Sequence, residues 1–255
     1  MFPYRDENPT NLTPYITIGI IVLTSIIWLV FQGAGSQPAL ARSICLYGAV
    51  PAELLGSVSK EMTIPLGRGL ACVLDGNPSW HTVLTSVFLH GGWFHLIGNM
   101  WFLWVFGNNI EDSMGHARFV VFYLLCGMLA AMIQIAVQPG SAVPMVGASG
   151  AISGIMGAYL LLYPKVRVHT LVFLGFFVTT WALPAYVILV YWALLQLLGG
   201  LPLLGGAGQS GGVAFFAHIG GFIVGLAAIK LFTKRELLQA HTKPAVTVGT
   251  FDRGW

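Results

Sequence analysis

Apolar residues run through this chain in long unbroken stretches, not in the alternating or one-sided patterns of a soluble core. The runs cover about Tyr15–Phe31, Thr82–Phe106, Phe119–Val137, Ala148–Tyr163, Ala185–Leu198 and Val213–Phe232. Most of them approach the length a helix needs to cross a hydrocarbon layer about 30 Å thick. The pattern predicts an all-α, polytopic membrane bundle of six transmembrane helices over residues 15–232. A segment at 1–14 precedes it, and a polar, poorly ordered tail at 233–255 follows. No repeat of 20–50 residues is visible.

The polar stretches between the runs carry most of the remaining detail. A long loop at about 34–80 holds Cys45 and Cys72, and its Pro51-Ala-Glu-Leu-Leu can open a short helix. The stretch Gly107–Arg118 reads as a turn carrying Glu111 and Asp112. Proline and lysine at 164–165 stop the fourth run. The aromatic segment Val168–Trp181 reads either as interfacial or as the start of the fifth span. Gly199–Gly212 reads as a flexible outer loop.

Composition agrees with lipid as the solvent. Of 255 residues, 56% are hydrophobic and 8% charged, well outside the soluble range. A formal net charge of +3 is too small to argue for nucleic acid. Of the 12 Lys and Arg, the expected inner segments hold Arg5, Arg118, Lys165, Arg167, Lys230, Lys234, Arg235, Lys243 and Arg253. The outer ones hold Arg42, Lys60 and Arg68, all in the long loop. That asymmetry places both termini on the cytoplasmic side. Cys45 and Cys72 form no metal motif; they are either a disulfide facing an oxidising compartment or two free thiols. Cys126, inside the third run, reads as inert core.

The fourth run opens on Gly147-Ala-Ser-Gly-Ala-Ile-Ser-Gly-Ile-Met-Gly157. Its small residues let another helix approach closely. Ser149 stands where unpaired N–H groups of a first helical turn can stabilise negative charge. Counting about 1.5 Å per residue from the inner anchors puts Ser149 roughly 24 Å up, His218 about 18 Å, His95 about 20 Å and Asn99 about 14 Å. Four polar side chains from three helices therefore share one layer, where each is costly unless it has a partner. Serine needs a base, and histidine is the usual one. The nine Asp and Glu all lie outside the fourth and sixth runs, so the chemistry reads as a Ser149–His218 dyad without a carboxylate. Asn99, His95 and the Ser149 N–H are candidate oxyanion donors, with His90 near the outer end of the second run. A metal held by His90, His95 and His218 is disfavoured, because no thiol or carboxylate stands at that level.

Three motifs occur in order: His90-x4-His95-x3-Asn99, Gly147-x-Ser149-Gly150 and Ala217-His218-x-x-Gly221-x3-Gly225. With Phe88-Leu-His-Gly-Gly-Trp-Phe-His-Leu96 and Gly107-x3-Glu-Asp-x2-Gly-x2-Arg118, they resemble the rhomboid family of intramembrane serine proteases, bacterial type, from about 80 to 230. The resemblance implies a rhomboid-like bundle that cleaves single-pass transmembrane substrates without metal or cofactor. Ser149 would be the nucleophile and His218 the base. His95, Asn99 and the Ser149 N–H would form the oxyanion hole, with His90, Gly147, Gly150 and Gly221 supporting. It also implies that the glycine-rich outer loop caps the site and that the fifth helix gates lateral access. The expected location is a bacterial inner membrane with the site opening outward. Two features depart from the pattern. Ser153 stands where some members stack an aromatic ring on the base, and the Trp-Arg pair of some members' first loop is absent. A non-catalytic relative that binds transmembrane clients is the alternative. A transporter would call for inverted repeats or intramembrane charge, and neither is seen.

Overall fold

The computed structural model describes residues 2–58, 62–67, 70–74, 76–204 and 213–242. Helix α1 spans Tyr15–Phe31, with a π-helical last stretch. Short helices α2 (Ala39–Tyr47) and α3 (Pro51–Leu54) and a hairpin of β2 (Met62–Gly67) with β3 (Leu70–Leu74) fill the first loop. Helix α4 (Thr82–Thr85) leads into α5 (Trp93–Met114), α6 (His116–Val137) and α7 (Ser149–Leu162). Helices α8 (Ala185–Leu204), α9 (Phe215–Phe232) and α10 (Arg235–Thr242) complete the described bundle.

By length and composition, α6, α8 and α9 can each cross a membrane, while the apolar helices α1 and α7 are shorter. Helix α5 is long enough, but it carries Asn99, Asn108, Asn109, Glu111 and Asp112. Helix α7 is the hub, buried continuously from Gly150 to Tyr159. Small residues make that possible. A β-carbon on Gly221 would collide with the Gly150 carbonyl, and one on Gly225 with the Gly154 carbonyl. The α7 and α9 backbones touch because neither side carries a side chain there.

Four stretches differ from the expectation. The second run does not form one helix. It breaks at Leu89–Gly92, between a 3₁₀ turn at Ser86–Phe88 and α5, because paired glycines carry no helix-forming bias. At its other end, Gly107–Met114 is helix rather than turn. Glu111 and Asp112 are buried there because they accept the free N–H groups at the start of α1. Glu111 bonds Ile16 N–H at 2.9 Å and Thr17 N–H at 2.8 Å, and Asp112 bonds Leu12 N–H at 2.7 Å. A satisfied carboxylate is tolerated inside a helix bundle.

The aromatic segment does not start the fifth span. It forms a hairpin of β4 (Arg167–Leu174) with β5 (Phe177–Pro184), and β4 also pairs with β1 (Phe2–Asp6), giving the order β1-β4-β5. Its Val, Thr and aromatic content is strand-forming, and Gly175, at φ 63°, supplies the turn. The start of the tail is ordered: α10 docks on α5, with Lys234 N–H bonded to the Ser113 carbonyl at 3.0 Å. The first part of the expected outer loop, residues 199–204, continues α8 as helix, while residues 205–212 of it and 243–255 of the tail lie outside the described residues. The first loop is crosslinked. Cys45 on α2 and Cys72 on β3 form a disulfide with Cα atoms 5.5 Å apart, and Cys126 is a buried free thiol.

Candidate active site

Ser149 is the first residue of α7, so its N–H precedes every intrahelical acceptor. The chain reaches it through Gly147 at φ 132°, a conformation that a side chain would strain. A β-carbon at Gly147 would also sit 2.7 Å from His95 Nε2. Glycine here lets His95 come up beside Ser149.

On the facing helix, His218 is the fourth residue of α9. The first turn of α9 is pinned by the buried side chain of Gln134 on α6, whose Oε1 accepts the Ala217 N–H at 3.0 Å. The glycine contact between α7 and α9 does the rest. His218 Nε2 lies 2.7 Å from Ser149 Oγ, within hydrogen-bond distance. The structure brings these two expected residues into contact. Ser153 does not stand in for a stacking ring: it is fully buried and donates to the Ser149 carbonyl at 2.6 Å, bonding back along its own helix.

Two more expected residues line the same cavity, which encloses about 700 Å³ and is bordered by His95, Asn99, Ser149, Trp192 and His218. His95 Nδ1 accepts the Gly91 N–H at 3.4 Å, so in a neutral ring the proton sits on Nε2, the nitrogen beside Gly147. Asn99 Nδ2 is buried with no hydrogen-bond partner among the described residues. An unpaired donor on a residue that lines a cavity suits a developing oxyanion. His90 is fully buried, its ring edge-on to His95 with centroids 5.0 Å apart. Gln32 fixes its backbone, accepting the His90 N–H at 2.9 Å and donating to its carbonyl at 2.9 Å. His90 thus braces His95 and does not line the cavity. Among the described residues, no group of three His, Cys, Asp or Glu side chains is arranged to hold a metal.

One contact was not foreseen. Gln196 on α8 places Oε1 2.8 Å from His218 Nδ1, and Trp192, one turn earlier, lies with its ring 6.0 Å from the imidazole. A lone glutamine in an apolar run gives no sign in the sequence of which helix it faces. The only available cue was depth, since Gln196 is the sole amide in the 185–198 run.

Residues 77–235 match the Rhomboid domain family. The chain belongs to the rhomboid family. Three relatives show how widely the match extends. Rhomboid-like protein 11, chloroplastic, of Arabidopsis thaliana is 30% identical over 162 residues, 62% of this chain and 54% of that protein. "Putative rhomboid protease YdcA" of Bacillus subtilis is 30% identical over 152 residues, 60% of this chain and 64% of that one. The human presenilin-associated rhomboid-like protein, mitochondrial, is 28% identical over 171 residues, 65% of this chain and 41% of the relative. The chain therefore spans less than two thirds of each relative's length. The matched region of this rhomboid protein contains every side chain that borders the cavity.

Proposed function

We propose that this rhomboid protein is an intramembrane serine endopeptidase acting on single-pass transmembrane substrates. The observation that carries the reading is the 2.7 Å contact between Ser149 Oγ and His218 Nε2, made at the wall of a cavity with unpaired donors. His218 Nε2 takes the Oγ proton as Oγ attacks the scissile carbonyl. The carbonyl oxygen, now an oxyanion, accepts from Asn99 Nδ2, His95 Nε2 and the Ser149 N–H. On collapse, the imidazolium gives its proton to the leaving amine. Water, activated by the same imidazole, then releases the acyl group from Ser149 and restores both residues.

Helix α7 is 14 residues long, about 21 Å at ~1.5 Å per residue, so a nucleophile at its first residue stands below the surface of a layer about 30 Å thick. A substrate there must itself be a membrane segment, and unwound backbone is what the attacking Oγ needs to reach. We place the termini in the cytoplasm and the site opening outward, supported by the basic-residue asymmetry and by a disulfide in the first outer loop. A bacterial cell membrane is the proposed host, with one relative from a bacterium and two named for organelles. The outer-loop cap and the gating role of α8 belong to the same proposal.

The test is reconstitution of purified protein in vesicles with a generic single-span substrate, beside Ser149→Ala and His218→Ala. Cleavage by the parent that disappears in both variants is the expected result. Cleavage that survives in both overturns the dyad, and binding of the substrate without cleavage by the parent favours the client-binding alternative.

A further inference from the structure

We infer that Gln196 is a positioning residue for His218, so that the base is oriented by the neighbouring helix α8 instead of by a carboxylate or a ring on its own bundle core. This rests on the protease reading above. An amide oxygen can only accept a hydrogen bond, so the 2.8 Å contact between Gln196 Oε1 and His218 Nδ1 places the ring proton on Nδ1. That leaves the Nε2 lone pair for the Ser149 hydroxyl 2.7 Å away. Without the acceptor, the imidazole is free to put its proton on Nε2, where it cannot take one from serine, or to turn about its Cβ–Cγ bond.

Nothing else among the described residues holds Nδ1. Ser153, one turn below the nucleophile, spends its hydroxyl on the Ser149 carbonyl. Trp192 lies beside the imidazole, with centroids 6.0 Å apart and planes tilted by 38°, but an indole accepts no proton from Nδ1. Gln196 stands one turn beyond Trp192, so the two present one face of α8 to His218. Glycine keeps that face close: a β-carbon on Gly199 would run into the Phe215 ring at the start of α9. Helix α8 is also the least buried of the three long apolar helices α6, α8 and α9. The base is therefore aligned by a helix at the edge of the bundle, through the Gln196 contact.

The experiment compares the purified parent with Gln196→Met, which keeps length and apolarity but removes the acceptor, and Gln196→Glu, which keeps an acceptor at the same reach. Readouts are kcat and KM on a single-span substrate, the rate of Ser149 modification by a fluorophosphonate, and thermal melting. Gln196→Met is expected to lose kcat and labelling rate together, roughly 10- to 100-fold, with KM nearly unchanged. Gln196→Glu is expected to recover most of both. Gln196→Asn, which withdraws the amide by one carbon, gives the same reading if the Met variant fails to fold, and its kcat is also expected to fall. Parent-like kcat and labelling in folded Met or Asn variants overturn the positioning role while leaving the dyad standing. So does a Glu variant as slow as the Met variant. A parent that the phosphonate does not label at Ser149 overturns both.

Discussion

At the scale of single residues, the site is a set of polar groups whose partners differ in kind. Ser149 and His218 satisfy each other, while Asn99 Nδ2 has no partner among the described residues. A donor left unpaired in a buried place normally costs about 1–3 kcal/mol, a cost that makes sense where an oxyanion is to form. Asn99→Ala is expected to lower kcat by roughly 10²- to 10³-fold and to leave KM nearly unchanged, as steady-state kinetics would show. Ser153→Ala removes a hydroxyl that bonds only its own helix. Its expected effect on melting is under about 1 kcal/mol, with kcat retained; a large loss of kcat would mean that Ser153 touches the base after all. Ser149, His218, His95 and Asn99 were legible in the sequence because spacing along helices fixes depth, and depth brought them to one layer. Gln196 was not, because depth says nothing of which way a helix turns its faces.

At the scale of elements, the α7–α9 contact brings Ser149 and His218 together. Gly225→Ala forces a β-carbon against the Gly154 carbonyl, which is backbone and cannot rotate away. Overpacking of this kind costs typically about 1–3 kcal/mol. The variant should melt earlier in detergent and lose activity more steeply than stability, because any separation of the helices lengthens the Ser149–His218 contact. A second junction is Glu111, whose carboxylate holds Ile16 N–H, Thr17 N–H, the Thr17 hydroxyl at 2.7 Å and His116 Nδ1 at 2.6 Å. Glu111→Ala strands the first N–H groups of α1 and is expected to lower the melting temperature with the catalytic geometry intact. The small-residue stripe at 150, 154 and 157 could be read in advance, since only close packing explains it. The hairpin at 167–184 could not. In an apolar, aromatic segment, hydropathy looks the same for strand and helix, and the deciding partner, β1, lies more than 160 residues away in the sequence.

For the whole molecule, the first loop and the membrane bundle answer to different conditions. The bundle relies on packing among helices, whereas α2 and β3 are tied by Cys45–Cys72. After reduction, the half-buried Cys45 should become reactive toward a membrane-impermeant maleimide added from the outer side, with Cys72 and Cys126 protected by burial. Labelling only from the cytoplasmic side would invert the orientation drawn from the basic residues. The state of the cysteine pair could not be read from the sequence, because 27 residues of separation allow either form.

The central claim is that Ser149, activated by His218, is the nucleophile, and mass spectrometry of the fluorophosphonate-treated protein tests it most directly. Modification at Ser149 in the parent, abolished by His218→Ala, is the expected result. Modification at another serine, or labelling of Ser149 that persists at the parent rate in His218→Ala, would contradict it.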